Sequence, residues 1–200
     1  MLSYQSAGKT GIKGRPVTIK LEIAGDGFYR QMVAGKAFHM MKQIPTLYEW
    51  AGDMKTFETL FARFYDKVLK DDLLGEVFKN MSPEHVTQVS HFVAEVFGGD
   101  KLYTTEDKGS HSIMIGKHIG KMLTEEKRQR WVHLLLQTAD EVGLKSDPEF
   151  RSAFVGYIEW GTRLAVINSQ LTENPMDSNE PMPKWGWGET GGPYMNSNEN

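Results

Sequence analysis

The sequence predicts an all-α protein, on three observations. Between about residues 46 and 170, apolar side chains recur at i, i+3 and i+4, the repeat of one buried helix face. Residues that start helices (Ser, Thr, Asp, Pro) and residues that stop them (Gly) punctuate this pattern at helical lengths. Only VTIKLEI, with Val17, Ile19, Leu21 and Ile23, alternates with the two-residue repeat of a strand, and a lone strand has nothing to pair with.

The elements follow in order. Residues 1–45 form an N-terminal extension: a small, polar lead, the strand-like segment, and FYRQMVAGKAFHMMKQI, which predicts a short amphipathic helix before Pro45. In TFETLFARFYDKV, the residues Phe57, Leu60, Phe61, Phe64, Tyr65 and Val68 fall on one face, so this helix turns a tyrosine inward. The next helix is expected to start at MSPEHV, with Ser82 as N-cap and Pro83 in the first helical position. It buries Val89, Phe92, Val93 and Val96 and stops at Gly98–Gly99. His85, four residues before Val89, shares that face. A third long helix starts at Thr124, carries Glu125 and Glu126 in its first turn, and turns Trp131, Leu134, Leu135, Thr138 and Val142 inward. A fourth opens with Ser146-Asp147-Pro148-Glu149, read as a capping box, and buries Phe150, Phe154, Tyr157, Ile158, Gly161, Leu164 and Ala165. Between the second and third of these helices, KLYTTEDKGSHSIMIGKHIGKM is less regular: one or two helical turns place Met114, His118 and Met122 on one face. With Gly116 and Gly120 inside it, that element needs something to pack against. Residues 171–200 are rich in Pro, Gly, Asn and Glu and predict an extended tail, in which Trp185 and Trp187 should pack on the body or on a partner.

Composition excludes several classes of function. The formal charge is −3, from 23 basic and 26 acidic residues, so no basic surplus awaits a nucleic-acid backbone. The chain has no cysteine, which removes thiolate sites for zinc, iron–sulfur clusters or haem. No HExxH sequence occurs. No stretch reaches the ~18 apolar residues of a membrane span, and MLSYQSAGKTGIKGRP lacks a signal peptide's apolar run, so a cytoplasmic protein is expected.

Three side chains invite a functional reading. An inward histidine is more often satisfied by a backbone carbonyl than by a metal. His118, however, stands among methionines, whose soft side chains suit a large, flat apolar ligand, with Lys117 at the rim. Tyr65 and Trp131 each carry a donor into an apolar setting, where leaving it unpaired costs ~1–3 kcal/mol. Each either finds a carbonyl or converges with the other on one polar guest.

The run YEWAGDMKTFETLFARFYDKV, Phe78 after LLGEV, SPEHVTQVSHFVAEVFGG, Tyr103, His111, Lys117-His118, Trp131 and the final helix with EWGTR resemble, in order and spacing, a group II truncated haemoglobin. The resemblance covers about residues 46–170, and the tail around MPKWGWG is similar to that of a bacterial subset. It implies a two-over-two helical sandwich around haem b, with short irregular terminal extensions. It places His118 as the proximal iron ligand and Tyr65 and Trp131 as donors to a bound diatomic ligand. Phe78 would pack on the porphyrin, in a place that other members fill with tyrosine. Phe64, Val89 and Phe92 would line the distal side and Met114 and Met122 the proximal face, with Lys117, Tyr103 and His111 near the propionates. His85 departs from the pattern, since many members have a small residue there. Three roles stay open for it: gate or donor, a residue swung to the surface, or sixth iron ligand.

The function so implied is reversible binding of oxygen and related ligands (carbon monoxide, nitric oxide, peroxide), with an unidentified reductase and a homodimer among the expected partners. A peroxidase-like or nitric oxide dioxygenase activity is the alternative. A haemless globin-fold interaction module is a third.

Overall fold

The computed structural model describes residues 44–194; the strand expected at 17–23 and the helix expected before Pro45 lie outside them. The described residues contain eight α-helices and no strand, as the helical repeat requires. α1 (Leu47–Ala51) is closed by a capping box: Thr46 Oγ1 accepts from Glu49 N, and the Glu49 carboxylate accepts from Thr46 N. α2 (Met54–Val68) is capped by Asp53 and buries Phe57, Leu60, Phe61, Phe64, Tyr65 and Val68, the face that its periodicity predicts.

α3 (Gly75–Phe78) is a single turn. α4 (His85–Val96) begins later than expected: Ser82 is no N-cap, because residues 82–85 form a turn in which Ser82 O accepts from His85 N. α5 (Leu102–Thr105) and α6 (His111–Gly116) are short, the latter capped by Ser110. α7 (Glu125–Glu141) starts on Thr124, which accepts from Lys127 N. α8 (Pro148–Ser169) starts on Asp147 and not on Ser146, since the Asp147 carboxylate takes Phe150 N with Pro148 in the first turn.

The long helices pair as α2 with α4 and α7 with α8, and α2 also lies on α7, which is the two-over-two arrangement. Phe97, at the end of α4, joins the pairs through edge-on contacts with Phe57, Phe154 and Tyr157. The tail returns to this body. Trp185 donates from its indole to Ala153 O at 2.9 Å and from its backbone to Val96 O at 2.9 Å. Trp187 donates to Pro45 O at 2.7 Å and meets Trp50 edge-on. Each buried indole N–H is thereby satisfied.

Candidate functional site

α2 delivers Phe64 and Tyr65 to one end of the sandwich, and neighbouring elements close a cluster of rings around them. Phe64 lies 4.8 Å from the Trp131 ring of α7 and 4.9 Å from Tyr65. Tyr65 lies 5.5 Å from Phe78 and 4.9 Å from His85. Residues distant in sequence thus meet in one largely apolar cluster that carries a phenol, an indole and an imidazole. Burial pushes the Tyr65 phenol well above its usual range, opposed in smaller part by the neighbouring Trp131, so the hydroxyl keeps its proton at neutral pH.

His85 turns inward. Its Nε2 atom is buried and has no hydrogen-bond partner. Burial, then the positive charges of Lys117 and His118, push its pKa down to about 4. The imidazole is neutral at pH 7. Of the three roles left open by the sequence, the residue swung to the surface does not fit this geometry.

His118 follows α6 and sits among different neighbours. Its Nδ1 lies 2.9 Å from Met114 O; a carbonyl only accepts, so Nδ1 carries the proton and Nε2 keeps its lone pair. Burial lowers its pKa, with Lys117 and Lys121 acting in the same direction. Both effects favour the neutral ring that a metal requires.

His85, Val89 and Phe92 stand at i, i+4 and i+7 on one face of α4, which runs from the Tyr65 cluster to Tyr103, whose ring lies 5.1 Å from Phe92. Gly109 is required here, because a Cβ would come within 2.3 Å of the Tyr103 ring. Tyr103 Oη and His111 Nδ1 are both buried without a partner. Two orphaned polar atoms, a neutral histidine with a free Nε2, and a wall of phenyl rings are a donor set and lining that fit a haem.

The other expected residues divide. Val89 and Met114 are half-buried against the core, and Lys117 is exposed and donates to Gln88 Oε1 at 2.6 Å. Gln88, one turn after His85, escaped the sequence reading, although its helical position was available. Met122 is a correction: it is 62% exposed, with φ of 50°, and does not share a face with His118. The helix ends at Gly116 and the chain turns, so the i+8 register from Met114 is lost. Trp131 is half-buried and not enclosed as expected.

The profile of the family described as bacterial-like globin matches residues 46–159. A group 2 truncated hemoglobin of Bacillus subtilis is 28% identical over 126 residues, 63% of this chain and 92% of that protein. A group 1 truncated hemoglobin of Tetrahymena thermophila is 30% identical over 105 residues, 52% of this chain and 82% of that protein. Among solved structures, the truncated oxygen-avid haemoglobin of Bacillus subtilis aligns with a TM-score of 0.54 at 28% identity, over 61% of this chain and 99% of that one. The group II truncated hemoglobin of Bacillus anthracis aligns with a TM-score of 0.52 at 25% identity, over 69% and 98%. From its helical pairing, its donor set and these likenesses, the chain belongs to the bacterial-like globin family, as a haem-binding group II truncated haemoglobin.

Proposed function

We propose that the protein holds haem b through His118 and reversibly binds oxygen and other diatomic ligands on the side of Tyr65, Trp131 and His85. The observation that carries this reading is the convergence of those three polar groups in one half-buried ring cluster, 4.9 Å separating the Tyr65 and His85 rings. Haem, when bound, would supply the iron at which a diatomic ligand coordinates. The protonated Tyr65 hydroxyl and the Trp131 indole would be the donors on that side, favouring a ligand that accepts hydrogen bonds, such as oxygen, over carbon monoxide and slowing its escape. His85 stands beside them as a neutral ring that admits the ligand by moving or donates to it. Met114 O fixes the His118 tautomer, and Phe64 and Phe78 exclude water.

Ultraviolet–visible spectra of the protein as isolated, reduced and exposed to oxygen test this. An intense Soret band and a stable oxygenated spectrum are expected, and His118→Gly should lose the histidine-ligated spectrum. A chain that takes up no hemin refutes the reading.

A second reading, turnover of peroxide or nitric oxide with electrons from a reductase, is favoured by the place of His85, whose buried Nε2 stands without a partner beside the Tyr65 ring. Peroxidase turnover well above that of free hemin, abolished in His85→Ala, distinguishes the two.

A further inference from the structure

We infer that residues 169–176, the end of α8 and the first residues of the C-terminal tail, form a proximal strap that positions His118. The inference rests on His118 being the iron ligand. His118 bonds only to its sequence neighbours: its backbone N donates to Ile115 O, its ring to Met114 O, and its carbonyl accepts from Lys121 N. Its segment is tied to the rest of the body on both sides by the chain that leaves α8.

Before His118, Asn174 Nδ2 donates to Ser112 O at 2.9 Å and to Ser112 Oγ at 3.2 Å, and Ser112 Oγ donates to Met176 O. After it, Gly120 N donates to Leu171 O and Met122 N to Ser169 O, each at 3.1 Å. Leu123 N donates to Ser169 Oγ and Gln170 Nε2 donates to Leu123 O, each at 2.9 Å.

Two features show that this stretch would not hold its shape alone. Gly120 has φ of 70°, and Met122, which carries a side chain, has φ of 50°. A left-handed conformation at an ordinary residue is unfavourable and persists only where its surroundings over-determine it. Here Met122 is 62% exposed, so packing does not hold it; the backbone bond to Ser169 does. Asn174 also approaches so closely that a Cβ on Gly116 would lie 3.3 Å from its amide. The far end of the tail is itself fixed, by Trp185 on Ala153 and Trp187 on Pro45.

The strap therefore acts on iron through His118: Ser169, Gln170 and Asn174 are positioning residues. They set where the imidazole stands relative to the α7–α8 pair. From the other side Lys117 reaches Gln88, and Ile115 and Met114 pack inward, while the hydrogen bonds that tie both flanks of His118 to the body run to residues 169–176.

The test uses the full-length haem protein carrying Asn174→Ala, Asn174→Asp or Gln170→Ala, with three readouts. Resonance Raman of the deoxy ferrous state should show a shifted or broadened iron–histidine stretching band in the Ala variants. Asn174→Asp, which sets an acceptor against Ser112 O, should behave as Asn174→Ala does. Haem transfer to an acceptor apoprotein should quicken by roughly 2- to 10-fold, the loss of one or two ordinary hydrogen bonds. In the unsubstituted protein, the Gly120, Met122 and Leu123 amides should be protected from hydrogen exchange; exchange at the rate of a frayed loop overturns the inference without any variant. An unchanged iron–histidine band and haem-loss rate in all three variants overturns it as well. Absence of any iron–histidine band in the unsubstituted protein would instead remove the assignment of His118 on which the strap rests.

Discussion

The rings of Tyr65 and His85 meet edge to face, centroids 4.9 Å apart and planes at 84°. One comes from the last turns of α2 and the other from the first turn of α4, so the α2–α4 pairing itself assembles the distal side. A third group, Trp131, arrives from α7, its ring 4.8 Å from Phe64, which itself lies 4.9 Å from Tyr65. A ligand accepting bonds here meets groups that neighbouring rings have already oriented, and little ordering remains to be done on binding.

Removing either donor tests that arrangement. Tyr65→Phe and Trp131→Phe should each raise the oxygen dissociation rate by roughly 5- to 30-fold, the loss of a hydrogen bond worth ~1–2 kcal/mol to a partly charged acceptor. Because both residues are proposed to donate to the same bound atom, the double variant should fall short of the product of the single effects. Stopped-flow displacement of oxygen measures this, and unchanged rates in both single variants refute the distal assignment.

His85 acts as gate or donor in this reading and not as a ligand. The deoxy ferrous spectrum should therefore be five-coordinate, and His85→Ala should speed ligand entry by opening the space beside Tyr65. A six-coordinate low-spin spectrum that reverts to five-coordinate in His85→Ala would make His85 the sixth ligand instead.

Acid should weaken the apoprotein through the same residue. His85 titrates near 4 when folded against 6.5 unfolded, so in this range the unfolded chain holds more protons. The stability is complete above about pH 6.5 and is lost as pH falls toward 4; burial shifts His118 in the same direction. The midpoint of thermal unfolding of the apoprotein should drop across this window, and less steeply in His85→Gln. Equal slopes for the two proteins would contradict the buried neutral histidine.

Most of the helical frame was legible because periodicity reports burial directly. All six inward residues of α2 and the Phe150, Phe154, Tyr157 and Ile158 stripe of α8 are buried where their spacing puts them. Tyr65 was legible for the same reason, whereas Trp131 is only half-buried and His118 lies beyond the end of α6, and the roles proposed for all three came from resemblance. Met122 was misread because an i+8 extrapolation assumed that the helix continued through Gly116, and local backbone terms ended it. The bonds between residues 169–176 and residues 112–123 were not legible: they join the Ser112 and Ser169 hydroxyls and the Asn174 amide to backbone atoms 46 to 64 residues away, and backbone partners leave no signature in side-chain pattern.

Lys117 should affect haem retention weakly. Its ammonium is exposed and occupied by Gln88, and an exposed cation beside a carboxylate is worth ~0.5–1 kcal/mol. Lys117→Ala should quicken haem loss by no more than about fivefold, and the difference from the unsubstituted protein should shrink in high salt. A much larger, salt-independent effect would mean that Lys117 supports the packing around His118.

Asp147 has two tasks, and substitution can separate them. Its Oδ1 accepts from Phe150 N to start α8, while its Oδ2 accepts from the Trp50 indole at 2.8 Å and so ties α1 to the α7–α8 turn. An N-cap is worth ~1 kcal/mol and a side-chain hydrogen bond a similar amount, so Asp147→Ala should cost ~2 kcal/mol. In a domain of this size that lowers the unfolding midpoint by ~4–8 °C. Asn offers one carbonyl oxygen where Asp offers two acceptors, so Asp147→Asn should recover about half of the loss, and Trp50→Phe in the Asp147→Asn background should then cost little more. If Asp147→Asn matches the unsubstituted protein while Trp50→Phe alone remains costly, the indole is held by packing against Trp187 and not by Asp147.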